Sequence, residues 1–171
     1  LGEPGDDEIL VRSLYSGISA GTEMLVYRGE LPRDQALDSS MDALENLSTA
    51  YPLQYGYANV GRVEAVGTKV DKGMMGRNVF ALQPHATYYI ARARDVVQFP
   101  ATIDPETAIF LANMETAVNL VLDAKPALGE KVVILGQGVV GLLVTAILAR
   151  FPLSVSYPLD LIQLRRDTAT K

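Results

Sequence analysis

The chain has 171 residues, of which 49% are hydrophobic, enough for one large or two small domains with a buried core. Its net charge of −5, with basic residues scattered except for adjacent Arg165 and Arg166, argues against a nucleic-acid surface, and no apolar run reaches the ~18 residues of a membrane span. Cysteine is absent, so disulfides and thiolate zinc sites are excluded.

The chain begins at Leu1 rather than Met and shows no signal peptide. The expectation is a soluble protein of the cytoplasm or of an organellar matrix or stroma, with an incomplete or processed N-terminus. Residues Leu1 to Asp7 read as a turn and Glu8 to Leu14 as a strand, followed by the small-residue loop SGISAGTE, Ser16 to Glu23, and one helical turn over Met24 to Tyr27. Leu31 to Asp38 reads as a polar surface excursion, and Ser39 to Ala50 as a short amphipathic helix or ordered insertion. Val60 to Val66 alternates as a strand, with Arg62 and Glu64 on one face and Gly61, Val63 and Ala65 on the other. Val79 to Leu82, Thr87 to Ile90 and Val96 to Phe99 are further short strands, so this part is a small, mostly β domain. Tyr88 and Tyr89 lie on opposite faces of their strand; His85, the only histidine, follows Pro84 in a loop, where such a residue is usually solvated. Asp104 and Pro105 form an N-cap and N1 pair for a helix to about Leu111, and a second helix covers Glu115 to Ala124.

The unbroken apolar run Val132 to Leu135 reads as a strand buried on both faces of a parallel sheet. It feeds directly into Gly136, Gly138 and Gly141, after which Val140, Leu143, Val144, Ile147 and Leu148 recur at helical spacing. A GxGxxG turn between strand and helix suits a dinucleotide: one glycine for the turn, one for approach of the pyrophosphate, and one for close helix packing. The N–H groups of Gln137, Val139 and Val140 and the helix dipole would then face phosphate. The alternative is a turn whose glycines serve packing alone. Asp160 stands about 20 residues beyond, where an acid binds the adenosine ribose, at the end of a short strand, Leu153 to Leu159, that contains Pro158. Arg165 and Arg166 are either partners for a 2′-phosphate or solvated helix residues, so NAD is slightly preferred to NADP.

SGISAGTE (Ser16 to Glu23), YGYANVGRVEAVG (Tyr55 to Gly67), NVFAL (Asn78 to Leu82), META (Met114 to Ala117) and ALGEKVVILGQGVVG (Ala127 to Gly141) together resemble the medium-chain dehydrogenase/reductase family. The loop and the GQGVVGLL turn most resemble zinc-type alcohol dehydrogenase relatives grouped with bacteriochlorophyllide a dehydrogenase. The resemblance implies an α/β chain with a GroES-like β-rich substrate domain over residues 1–115 and, over 116–171, the first part of a Rossmann doubly wound parallel sheet. It implies hydride transfer between nicotinamide and a carbonyl, alcohol or activated alkene as small-molecule substrate. Thr116 would lie near the nicotinamide.

The family's zinc ligands are replaced by Ser19 or Ala20, by Tyr57 with Ala58, and by Ala112, none a competent zinc donor set, so the implied chemistry is zinc-independent. The hydroxyls of Tyr57 and Ser19 become the expected proton donors to a carbonyl oxygen. Tyr57 has the alternative of a packed tyrosine. Glu23 matches an acid near the metal site of zinc relatives and here is expected to cap or bridge strands. Only two parallel strands are present, whose edges demand a partner. The chain is therefore expected to be a fragment of a longer enzyme, a catalytically inactive structural subunit with a protein partner if it ends near Lys171, or a cofactor sensor.

Overall fold

The computed structural model describes residues 2–30 and 51–170, so the elements expected between Leu31 and Ala50 lie outside the described residues. The chain divides into two units, Leu1–Phe110 and Leu111–Lys171. In the first, strands β1 (Glu8–Ser16), β2 (Asn59–Val66), β3 (Asn78–Ala81), β4 (Tyr88–Arg92) and β5 (Val96–Gln98) form one antiparallel sheet in the order β4-β1-β2-β3-β5. Alternation decides which faces are covered. Ile9 and Val11 of β1, Val63 of β2 and Val79 of β3 are buried together with Met74, while Arg12 and Glu64 meet on the other face in a 2.5 Å ion pair.

Strand β1 runs further than its apolar residues foretold. A register shift between Ser13 and Tyr15 lets the polar Tyr15 and Ser16 continue pairing, with Val60 and Asn59 respectively, and brings Ser16 to the rim of the sheet. Helix α1 (Thr22–Arg28) follows the SGISAGTE loop, and α2 (Pro105–Ala108) is capped as foreseen, Asp104 accepting a hydrogen bond from the Glu106 N–H at 3.0 Å.

Of the tyrosine pair in β4, Tyr88 is exposed and Tyr89 is buried in the core. Among the described residues the Tyr89 hydroxyl has no hydrogen-bond partner, and burial raises its pKa well above the ordinary phenol value. An orphaned buried hydroxyl costs stability, so Tyr89→Phe is expected to be neutral or to stabilise the chain by about 1 kcal/mol. Urea unfolding checks this, and a clear loss of stability would show that the hydroxyl has a partner after all.

The second unit holds α3 (Leu111–Ala124), β6 (Lys131–Leu135), α4 (Val139–Leu148), β7 (Val155–Leu159) and α5 (Gln163–Ala169). Strands β6 and β7 pair in parallel from Lys131 opposite Val155 to Leu135 opposite Leu159. Val121 of α3, Ile134 of β6 and Leu148 of α4 form its core. Helix α3 starts four residues before the expected Glu115, because one Asn costs a helix well under 1 kcal/mol and Asn113 does not break it. The boundary expected between residues 115 and 116 therefore falls inside a continuous helix. Burial of β6 on both faces is not observed: Val132 and Ile134 pack against α3 and α4, while Val133 at 55% and Leu135 at 81% exposure share the opposite face, which no helix among the described residues covers. No helix among the described residues is long and apolar enough to cross a membrane.

Candidate functional site

The turn from β6 to α4 assigns a different physical demand to each of its glycines. Gly136 sits at φ +89°, a conformation that side chains disfavour, and its N–H donates to the Leu159 carbonyl at 2.7 Å, tying the turn to β7. A β-carbon on Gly141 would stand 1.9 Å from the Gly136 carbonyl oxygen, so helix and turn could not pack with any side chain there. These two glycines are demanded by the protein itself. Gly138 is not: its backbone is extended, and a β-carbon would meet no heavy atom within 4 Å.

Gly138 is also the N-cap of α4, without a side-chain cap. Leu142 is the first residue of the helix whose N–H finds a carbonyl, that of Gly138 at 2.9 Å. Among the described residues the N–H groups of Val139, Val140 and Gly141 have no acceptor. Three unspent donors beside a side-chain-free position at a helix N-terminus fit a diphosphate in shape and charge.

The neighbouring polar groups are organised around Gln137 and Asp160. The Gln137 side chain, expected to help bind a cofactor, is wholly buried: its amide donates to the Ile134 carbonyl at 3.3 Å and its oxygen accepts from the Thr145 hydroxyl at 2.9 Å. It locks strand to helix and offers nothing outward. Its backbone N–H is spent as well, on the Asp160 carboxylate at 2.7 Å. Asp160 follows β7 directly and accepts from the Ile162 N–H at 2.8 Å. These two N–H donors, Ile162 first, with Arg165 at 3.5 Å, hold its carboxyl below the usual carboxylate range. It is thus an ionised acceptor, oriented beside the glycine turn; Oδ2 accepts from both Gln137 and Arg165, and Oδ1, which accepts from Ile162, keeps a lone pair for a further hydroxyl. Arg166 donates to the Asp160 carbonyl at 2.6 Å and to the Gln163 side chain, while Arg165 is exposed and reaches the Asp160 carboxylate at 3.5 Å. Thr116 is exposed on α3, with its hydroxyl donating to the Ala112 carbonyl at 3.1 Å.

A second constellation lies in the Leu1–Phe110 unit. Glu23, in the first turn of α1, is 7% exposed. Its Oε2 stands 2.5 Å from His85 Nε2, and its Oε1 accepts from the Ser19 N–H at 3.0 Å. The other imidazole nitrogen, Nδ1, meets the Ser16 hydroxyl at the rim of the sheet. Ser16, His85 and Glu23 therefore form one hydrogen-bonded chain from a surface hydroxyl to a buried carboxylate. The expectation of a solvated His85 is corrected: its side chain is about one-third exposed and held at both nitrogens. Gly56 makes the room, for at φ +129° a β-carbon would come within 2.9 Å of the imidazole Nε2 and 2.8 Å of the His85 backbone nitrogen. The sequence clue was the glycine between Tyr55 and Tyr57, whose purpose is clear only with His85 packed on it.

Of the expected proton donors, the Ser19 hydroxyl accepts from the Thr22 N–H at 3.3 Å, as a local cap of α1. Tyr57 is half-buried, and among the described residues its hydroxyl has no hydrogen-bond partner. No group of three His, Cys, Asp or Glu side chains among the described residues is placed to hold a metal ion.

No protein-family model matches the chain, and no curated protein matches it either. Many solved structures do. They include a short chain alcohol dehydrogenase from Escherichia coli CFT073 complexed with NADH, at 18% identity and a TM-score of 0.75, covering 99% of this chain and 54% of that one. The alcohol dehydrogenase TADH from Thermus sp. ATN1 has 20% identity and a TM-score of 0.76, covering 99% and 56%. The Escherichia coli quinone oxidoreductase complexed with NADPH has 18% identity and a TM-score of 0.76, covering 99% and 49%. The chain spans about half the length of these structures. It has the fold expected from its motifs, that of the medium-chain dehydrogenase/reductases, with a GroES-like β domain followed by the first part of a Rossmann sheet.

Proposed function

We propose that the chain is the nicotinamide-binding part of a zinc-independent oxidoreductase that moves hydride between NAD(P) and a carbonyl, alcohol or activated alkene. The observation that carries this reading is Gly138: it is the one glycine of the turn that neither its own φ nor a neighbouring protein atom requires, and it caps a helix whose first three N–H groups have no acceptor among the described residues. Solved structures of this fold complexed with NADH and with NADPH support it.

The dinucleotide supplies the hydride chemistry when bound. The chain's own residues do the rest. Val139, Val140 and Gly141 offer N–H groups to the pyrophosphate, and Asp160 accepts from ribose hydroxyls. Thr116 keeps its hydroxyl lone pairs available beside its helix bond. The charge on Asp160 opposes a 2′-phosphate and Arg165 offsets only part of it, which favours NAD over NADP. Zinc independence is supported by the donor chemistry, since alanine and tyrosine stand where the family has ligands.

The test is titration with NADH and NADPH, read by direct binding and by thermal shift. Ligand at 100 times its dissociation constant is expected to add about 2.7 kcal/mol of stability. Absence of saturable binding by either cofactor would sink the proposal.

A further inference from the structure

Between the first two glycines of the turn stands Gln137, a polar side chain that turns away from the ligand space. Wholly buried, it donates from Nε2 to the Ile134 carbonyl of β6 at 3.3 Å and accepts at Oε1 from the Thr145 hydroxyl of α4 at 2.9 Å. The same amide nitrogen lies 3.7 Å from where a β-carbon on Gly141 would stand, so the side chain packs beneath the turn. Its backbone N–H is directed elsewhere, to Asp160 Oδ2 at 2.7 Å. One residue thus touches the strand, the helix and the acid that follows β7.

The fold alone does not ask for these bonds. An apolar side chain of similar volume would fill the space, and exchanging a buried hydrogen-bonded pair for an apolar pair of the same shape is close to neutral in stability. What the polar pair adds is direction. Bonds from both ends of one amide fix its plane, and with it the rotamer of Gln137, whereas an apolar chain packs without a preferred direction. That direction matters at this position, because the backbone of Gln137 leads on one side into Gly138 and the N–H groups of Val139, Val140 and Gly141, and on the other holds the carboxylate of Asp160.

We propose that Gln137 is the positioning residue of the nucleotide site: anchored by Thr145, it fixes the turn that presents three helix N–H groups to the diphosphate and, through its own N–H, the carboxylate that accepts from the ribose. This rests on the dinucleotide reading above. It goes further in making the diphosphate and ribose contacts one mechanical unit, so that a lesion at Thr145, which is buried and touches neither ligand group, weakens both. These contacts belong to the adenosine diphosphate half of the cofactor. ADP therefore feels the lesion as NADH does.

The experiment compares Thr145→Val, which keeps the shape and removes the hydroxyl, with Thr145→Ser, which keeps the hydroxyl, and with Gln137→Met plus Thr145→Val, which makes the pair apolar. Dissociation constants for NADH and ADP are measured on the whole chain, with thermal unfolding alongside. Thr145→Val and the apolar pair are expected to bind both ligands about 10-fold more weakly, and Thr145→Ser to stay within about twofold of the wild type. The apolar pair should melt near the wild-type temperature. The Gln137 amide proton gives a second readout, since its resonance follows ionisation of the carboxylate it donates to. In the wild type it should titrate below the usual carboxylate range, where the Ile162 and Gln137 N–H groups hold Asp160, and in Thr145→Val it should titrate higher. A role in packing alone would leave that titration unmoved. Wild-type affinity for NADH and ADP in the apolar pair would overturn the positioning role and leave dinucleotide binding standing. Equal losses in Thr145→Ser and Thr145→Val would overturn it too, and this comparison decides the matter if the apolar pair does not fold. A wild type that binds neither ligand would overturn both readings.

Discussion

Gly138→Val is expected to weaken NADH and NADPH binding by about 100-fold or more, a loss of ~2.8 kcal/mol, while leaving the chain folded. The two halves of this expectation come from the same observation. Gly138 has φ −74° and ψ −170°, an extended conformation that valine adopts readily, and the space around its would-be β-carbon is free of protein. The β-carbon therefore meets no heavy atom of the described residues within 4 Å, and the expected cost to stability is the ~1 kcal/mol of a poorer helix N-cap. The methyl groups of the valine occupy the approach that a diphosphate would need to reach the N–H groups of Val139, Val140 and Gly141. Binding titrations beside thermal unfolding separate the two effects. Unchanged affinity in the variant would mean that the open space at Gly138 serves something other than a dinucleotide.

Gly141→Ala should do the opposite, destabilising the Leu111–Lys171 unit by about 3 kcal/mol before any ligand is considered. On an ordinary helix the substitution would gain about 1 kcal/mol, since alanine is the better helix former. Here the methyl carbon would lie 1.9 Å from the Gly136 carbonyl oxygen and 2.9 Å from its carbon. The Gly136 carbonyl cannot swing away easily, because the N–H of the same peptide, that of Gln137, is tied to Asp160 at 2.7 Å and Gly136 already sits at φ +89°. Relief requires α4 to lift off the turn, which would also pull Thr145 from its hydrogen bond with Gln137. Hydrogen exchange of the α4 and β6 amides is the direct measurement, and protection equal to that of the wild type would refute the packing argument. Together the two glycines distinguish a position kept bare for a ligand from one kept bare for the fold.

Much of the architecture was legible because it depends on local pattern. The alternation in Val60 to Val66, the Asp104–Pro105 cap, and the passage from Val132–Leu135 through three glycines into an apolar helix each encode their element by spacing and backbone preference alone. Boundaries failed where pairing overrides propensity. Tyr15 and Ser16 look like loop residues, yet they continue β1 because β2 lies opposite them, and Asn113 did not interrupt α3. Burial of β6 was also misjudged, because an apolar run states a preference while neighbouring elements decide whether it is met.

The sequence by itself determined the order of a β-rich part and a glycine-turn part, the absence of thiol chemistry, and the candidate turn from Gly136 to Gly141 with Asp160 after it. Only the tertiary structure decided that Gln137 points inward, that Gly138 alone among the three glycines is bare without steric need, and that Ser16, Glu23 and His85 form one chain. The physical reason is distance along the backbone. Turn and helix signals act over a few residues, whereas Ser16 and His85 lie 69 positions apart and meet only because β1 and the segment before β4 are brought side by side in one sheet.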